Sequence, residues 1–235
     1  MINMKIVSYN ILAQRFVKSE DIESFDVRVI KIIDNIASVD PSVICLQEVE
    51  LSSFQVDFYE LLKKYDFHGH VVSKKRSSPI GNVILWKKEH DKISTLNTSA
   101  SVLVSLMING LQILIANVHL KAQLINGEKQ RLQQLVSVLK HNPDIICGDF
   151  NDTLAEERAA YRMLNENYKI LTPGLTCYAK DSCNYFINKP YWPFDHFAYK
   201  AALLTSAYVL PSNLDCIIPN DIYPSDHLMI VFIFE

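Results

Sequence analysis

Two apolar runs, SVLVSLMI and LQILIANV, are separated only by Asn109-Gly110. Asn-Gly accepts positive φ at both turn positions, so this arrangement is the strongest short-range hairpin signal. It commits the middle of the chain to antiparallel strands. Elsewhere strand and helix signals alternate, and a mixed-sheet layered α/β domain therefore fits better than a purely parallel one.

The flanking elements follow from periodicity. Lys5–Ile11 (KIVSYNI) reads as a short strand. Glu23–Val39 carries Phe25, Val29, Ile32, Ile33 and Ile36 at helical spacing, and Asp40-Pro41 ends it. Ser42–Gln47 (SVICLQ) and Val83–Trp86 read as strands. Ser53–Tyr65 reads as a helix with Phe54, Phe58, Leu61, Leu62 and Tyr65 on one face. Glu128–Lys140 is a helix, Asp144–Cys147 a strand and Ala155–Asn165 a helix. Phe194–Tyr199 and Leu228–Phe234 are late strands. No linker, low-complexity tract or fixed repeat interrupts the chain, so residues 1–235 are read as one domain.

Composition narrows the function classes. The chain is 49% apolar and 21% charged with formal net charge −3, which excludes a generally basic nucleic-acid coat protein but not a locally basic groove. No apolar run reaches the ~18–20 residues of a membrane span, so no membrane partner is expected. MINMKIVSYN lacks the pattern of a secretory leader. Cys45, Cys147, Cys177, Cys183 and Cys216 form no CxxC pair, which argues against a disulfide framework or a structural zinc. An intracellular setting, cytoplasmic or nuclear, is expected.

The chemistry-bearing residues cluster just past strand ends. Asn10 follows KIVSY, Gln47 and Glu48 follow VICL, His119 follows ILIANV, and Asp149 and Asn151 follow IICG. Asp195 lies in PFDHFAY, and Asp226 and His227 precede LMIVFIF. Strand ends gathered on one sheet edge form a usual ligand crevice. Glu48 with Asp149, Asn151, Asp226 and Asn10 is an oxygen-rich, hard donor set that suits Mg²⁺ or Mn²⁺ rather than zinc. Histidines beside such a set suit acid–base or transition-state roles at phosphate. Each piece alone also has a plain reading: a solvated acid, a turn, a core histidine. Asp195 between Phe194 and Phe197 is harder to dismiss, because an acid inside an aromatic strand is costly unless paired.

SYNIL, LQEVE, NVHL, GDFN, FDHF and PSDHL, in this order from Lys5 to Phe234, resemble the endonuclease/exonuclease/phosphatase superfamily. That resemblance implies a four-layer α/β sandwich, with two packed mixed β-sheets flanked by helices. It implies Glu48 as the main metal ligand, with Asn10 and Asp226 in the metal shell. Asp149 would orient or deprotonate the attacking water, and Asn151 would steady transition-state oxygens. Asp195 would fix the tautomer and charge of His227, which contacts the scissile phosphate, and His119 would touch a non-bridging oxygen. The implied reaction is in-line attack of water on phosphorus with Mg²⁺, Mn²⁺ being a possible substitute. Gly81-Asn82 before VILW resembles the family's GNxxL segment on the substrate side. Arg131 and Gln134 match an RxxQ pattern expected to be structural, the arginine orienting a loop or pairing with an acid.

The substrate is pulled two ways. SYNILAQ and GDFN resemble the deadenylases and 2′-phosphodiesterases. The compact middle, His119 to Leu135, and FDHF followed by PSDH resemble 5′-tyrosyl-DNA phosphodiesterases. The leading expectation is a nuclease on RNA or single-stranded nucleic-acid ends, with no obligate protein partner. A tyrosyl-DNA phosphodiesterase is the runner-up, followed by a small-molecule phosphatase or a catalytically dead binding module. Lys74, Lys75 and Arg76, with Lys87, Lys88 and Trp86, are expected to steer a phosphate backbone or to form a solvated hairpin. Tyr178, Tyr185, Tyr191 and Trp192 are expected either to stack on a base or to pack locally.

Overall fold

The computed structural model describes residues 4–17, 22–73, 79–123, 126–179, 190–201, 207–210, 216–220 and 222–234. Its strands are β1 (Met4–Asn10), β2 (Val43–Glu50), β3 (Tyr65–Ser73), β4 (Ile80–Lys87), β5 (Asp91–Asn97), β6 (Ser101–Ile108) and β7 (Leu111–His119). They continue as β8 (Ile145–Asp149), β9 (Lys169–Leu171), β10 (Cys177–Tyr178), β11 (Tyr191–Trp192), β12 (Asp195–Tyr199), β13 (Ala207–Leu210) and β14 (Ile230–Phe234). The helices are α1 (Phe25–Val39), α2 (Phe54–Asp57), α3 (Tyr59–Leu62), α4 (Glu128–Leu139) and α5 (Ala159–Asn165).

Two six-stranded sheets share one plan: β13-β14-β1-β2-β4-β3 and β5-β6-β7-β8-β12-β9. At the centre of the first, β1 and β2 run parallel, with antiparallel β14 and β4 on either side. At the centre of the second, β7 and β8 run parallel between antiparallel β6 and β12. Parallel neighbours need a crossover, and α1 and α4 supply it in the two halves.

Period-two alternation assigns each strand residue to a layer. Met4, Ile6, Val43, Cys45, Ile84 and Trp86 from one sheet meet Val104, Ile115, Ile145, Cys147 and Phe197 from the other in a central apolar layer. The opposite faces pack on helices. Val7, Tyr9, Ile44 and Leu46 lie against Val29, Ile32 and Ile36 of α1. Ala116, Val118 and Ile146 lie against Leu135 and Val138 of α4 and Leu164 of α5. The result is the expected four-layer sandwich with two mixed sheets inside.

The Asn109-Gly110 hairpin is present: Ile108 pairs with Leu111, and φ is 50° and 81° at the two turn residues. The helix expected over Ser53–Tyr65 is broken at Phe58, which closes α2 with φ −105° and ψ 21°; Phe54, Phe58 and Leu61 still face the core. The helix expected from Ala155 begins at Ala159, because a turn from Ala155 to Arg158 precedes it. Strands β3 and β5 were not anticipated. β5, at a sheet edge, is mostly exposed and lacks an apolar face to mark it. Cys45, Cys147, Cys177 and Cys216 are free thiols; Cys183 lies outside the described residues.

Candidate active site

At one end of the central layer the inward residues change from apolar to polar. β1 passes from Met4 and Ile6 to Ser8 and Asn10, and β2 from Val43 and Cys45 to Gln47. β7 passes from Ile115 to Asn117 and His119, and β8 from Cys147 to Asp149. β12, running the other way, begins with Asp195 before Phe197. Register then sets these ends side by side: Asn10 opposite Gln47, His119 opposite Asp149, and Asp149 opposite Asp195.

Simple alternation would turn Glu48 away from this layer. The β2–β4 register shifts between Leu46 and Val49, and Glu48 takes a left-handed φ of 58°. Such a bulge re-aims a side chain, and here it brings Glu48 to the polar end. Gly148 is equally constrained. Its φ is +136°, and a Cβ there would lie 2.0 Å from the Val118 carbonyl oxygen, so the glycine of GDFN lets β8 approach β7.

The side chains converge. Asn10 Nδ2 donates to Glu48 Oε1 at 3.2 Å and to Asp149 Oδ2 at 3.1 Å. The Ala13 amide donates to Glu48 Oε2 at 3.2 Å, and the Leu12 amide to Asn10 Oδ1 at 3.2 Å. His119 Nε2 lies 3.6 Å from Asp149 Oδ2 and 4.0 Å from Glu48 Oε1. His227 Nε2 lies 3.7 Å from the same Asp149 oxygen, and its Nδ1 is 2.8 Å from Asp195 Oδ2. Thr176 Oγ1 donates to that Asp195 oxygen at 2.7 Å. The Asn151 amide donates to Asp149 Oδ1 at 2.8 Å, and Asn151 Nδ2 to the Leu120 carbonyl at 3.1 Å. Half-buried Asp226 closes the edge, where Ser225 Oγ donates to the Asn10 carbonyl at 2.6 Å.

Burial and mutual charge set the protonation of the group. Burial pushes the Asp149 carboxyl up, against the two histidines that favour its charge. Burial and the neighbouring Glu48 and Asp149 push Asp226 up to about 6, with His227 opposing. Burial alone would push the His227 imidazole down. Asp195, hydrogen-bonded to Nδ1, leads the groups that oppose this and hold His227 well above the usual imidazole range. The hydrogen bond to Asp195 assigns its Nδ1 proton and leaves Nε2 toward Asp149.

Several expectations need revision. Asn82 is fully buried on the inner face of β4, where its amide donates to the Ala100 and Asn117 carbonyls at 3.2 and 3.3 Å. In this position it ties the two sheets together instead of lining a substrate surface. Trp192 is buried and stacked on Phe194 with centroids 5.3 Å apart, so it is a packed ring and not an open platform. Tyr178 is half-buried, tilted against Tyr191 at 5.4 Å, and its amide donates to the Asp226 carbonyl at 2.9 Å, beside the site. Trp86 belongs to the central core. Lys87 pairs with Asp40 at 2.9 Å and Lys88 donates to the Leu62 carbonyl at 2.8 Å, both at the opposite end of β4 from Gly81. Lys74, Lys75, Arg76 and Tyr185 lie outside the described residues.

Arg131 does orient a loop and pair with an acid: it meets Asp152 at 3.2 Å and donates to the Lys121 and Gln123 carbonyls at 3.0 and 2.9 Å. Gln134 accepts from the Lys121 amide at 2.8 Å. Sequence reading missed the roles of Thr176, Ser225 and Asn117. Asn117 Oδ1 accepts from Gln47 Nε2 at 2.7 Å and its Nδ2 donates to the Leu46 and Val83 carbonyls at 2.8 and 2.9 Å, behind Glu48. Cys177 was seen only as a cysteine; it pairs across a bridge with His227, and burial pushes its thiol up to about 12.

The family model described as Endonuclease/Exonuclease/phosphatase family matches residues 7–227, which span every site residue named above. The chain belongs to this family. Nocturnin of Rattus norvegicus is 26% identical over 99% of this chain and 65% of its own length, so the chain spans about two thirds of that relative. The human Nocturnin catalytic domain, solved with a bound sulfate anion, is 21% identical with a TM-score of 0.72, covering 99% of this chain and 93% of that one. D. rerio TDP2 complexed with single strand DNA product is 18% identical with a TM-score of 0.71, covering 99% of each chain. These likenesses establish the four-layer fold.

The donor chemistry fits a hard divalent cation. Among the described residues no group of three or more His, Cys, Asp or Glu side chains could by itself hold a metal ion. Mg²⁺ commonly binds through one or two carboxylates and keeps several waters, and Glu48 and Asp226, with the Asn10 amide, are donors of that type. Glu48, Asp149 and Asp226 also place negative charge together at a partly buried edge, and burial raises two of these carboxyls. A cation there offsets that repulsion.

Proposed function

We propose that this chain is a Mg²⁺-dependent phosphodiesterase, and that its substrate is RNA or a single-stranded nucleic-acid end. The observation that supports the reading is the placement of His227. The ring is held at 2.8 Å by buried Asp195 and faces Asp149 at 3.7 Å, with Glu48 and Asn10 beyond. That order sets an imidazole fixed by a buried acid, a buried carboxylate and an oxygen-rich corner side by side, which supports the reading.

Glu48, Asn10 and Asp226 would hold Mg²⁺, which when bound supplies charge stabilisation for phosphoryl and leaving oxygens. Asp149, aimed by Asn10 and the Asn151 amide, orients water and takes its proton as the oxygen attacks phosphorus. The bond from phosphorus to the leaving oxygen breaks as the new one forms, and the leaving oxygen takes a proton from water. His227 and His119 face the same space and meet the growing charge on the phosphoryl oxygens. Asn151 is placed by the Leu120 carbonyl to do the same. The relatives are consistent with this class of ligand, since one is described with a sulfate anion and another with a single strand DNA product.

A substrate panel with product analysis tests the assignment: oligo(A), 2′,5′-linked adenylate, 5′-tyrosyl DNA, abasic duplex and inositol phosphates, each with Mg²⁺. Oligo(A) is expected to be cleaved with 5′-phosphate products. Cleavage of the tyrosyl linkage alone would replace this reading with the 5′-tyrosyl-DNA phosphodiesterase. Turnover of inositol phosphates alone would replace it with a small-molecule phosphatase.

A further inference from the structure

The two halves of the sandwich each carry one buried arginine at the same place. Arg28 is the fourth residue of α1 and Arg131 the fourth of α4, and each is 1% exposed. Both helices are the crossover of a parallel pair, β1–β2 and β7–β8. Arg131 reaches back to carbonyls of the loop after β7 and across to Asp152 after β8. Arg28 does the corresponding thing around β1. Its Nη1 donates to the Ile11 carbonyl at 3.1 Å and its Nη2 to the Leu12 carbonyl at 2.8 Å. Nη1 also donates to the Pro224 carbonyl at 2.9 Å.

Those three carbonyls belong to the two segments that deliver half of the site. Ile11 and Leu12 directly follow Asn10, and Leu12 is held at a left-handed φ of 52°. Pro224 directly precedes Ser225, Asp226 and His227. The chain ends meet again below the guanidinium, where Ser225 Oγ donates to the Asn10 carbonyl. Among the described residues no carboxylate pairs with this buried guanidinium, whose burial is costly, and only its fixed fork of donors can serve several diverging carbonyls at once. A lysine or an apolar residue would fill the space without that geometry.

We propose that Arg28 is a positioning residue of the active site: it locks the loop after β1 to the segment before β14 and thereby sets Asn10 and Glu48 against Asp226 and His227. This rests on the reading of the cluster as a catalytic site. The direct readouts are three amides that end on site groups: Leu12 to Asn10 Oδ1, Ala13 to Glu48 Oε2, and His227 to Ser225 Oγ.

The experiment compares Arg28→Lys and Arg28→Gln with Ile36→Ala, a buried core truncation on the same helix, by amide hydrogen exchange and by kcat and KM well below melting. In the Arg28 variants the Leu12, Ala13 and His227 amides are expected to exchange about tenfold faster relative to β14 core amides. A misplaced site is expected to lower kcat about 100-fold with little change in KM. Ile36→Ala is expected to melt lower yet leave both readouts near wild type. The inference is overturned if the three amides and kcat hold in the Arg28 variants, or if Ile36→Ala moves them equally. A wild-type chain that turns over no phosphoester defeats the functional reading instead, while the exchange comparison still decides whether Arg28 locks the two segments.

Discussion

Asp149→Asn is expected to lower kcat by about 10³-fold or more while leaving the chain folded. Asp149 is met by four groups of the site: Asn10 and the Asn151 amide donate to it, and both histidines face it. An asparagine keeps the shape and can still accept from the Asn151 amide. It cannot take a proton from water, and its NH₂ turns a donor toward Asn10. Because burial already disfavours the charged carboxyl, the neutral amide removes a buried charge, and the melting temperature is expected to stay within a few degrees. Steady-state kinetics with thermal melting checks both halves. A variant that keeps more than a tenth of wild-type kcat would remove Asp149 from the role of base.

His227→Ala is expected to cost both activity and stability, and the two losses separate. Removing a donor aimed at developing charge typically costs about 10²–10³ in kcat. Stability falls for another reason: Asp195 is fully buried, and among the described residues its Oδ1 has no partner and its Oδ2 would keep only Thr176. A buried charge that has lost its partner costs about 3–5 kcal/mol. The double variant Asp195→Asn/His227→Ala is therefore expected to recover most of the melting temperature and none of the activity. If kcat returned together with stability, His227 would be a structural partner of Asp195 and no more.

The legible parts of the fold are those where one periodicity runs uninterrupted. Asn109-Gly110 marked its hairpin because both neighbours are apolar for a full strand, and α1 and α4 showed one clean stripe each. β5 left no trace because an exposed edge strand has no buried face to pattern. The site was readable at Asn10, His119 and Asp149, where alternation along one strand simply passes from apolar to polar. Glu48 lay beyond alternation: its place after VICL and its acid chemistry marked it as a candidate, but its direction depends on a bulge and a left-handed residue that no periodicity shows. Asn82 was misjudged, and Trp192 took the packing alternative, for one reason. A polar or aromatic residue near a crevice can equally be spent tying two sheets or filling a ribbon. Arg28 did leave a signal, since it falls between Phe25, Val29 and Ile32 within the apolar stripe of α1. A charge on such a stripe is a buried group with an assigned task, and Arg131 beside Leu132 and Leu135 repeats the pattern.

The central claim is that this chain hydrolyses a phosphodiester through a site that needs a divalent cation. The direct measurement is hydrolysis of a generic phosphodiester by the purified chain with Mg²⁺, after EDTA, and after Mg²⁺ or Mn²⁺ is returned. The account predicts turnover with Mg²⁺, its loss in EDTA and its recovery on adding either metal back. Turnover undiminished in EDTA, or none on any phosphoester with Mg²⁺ present, would contradict it.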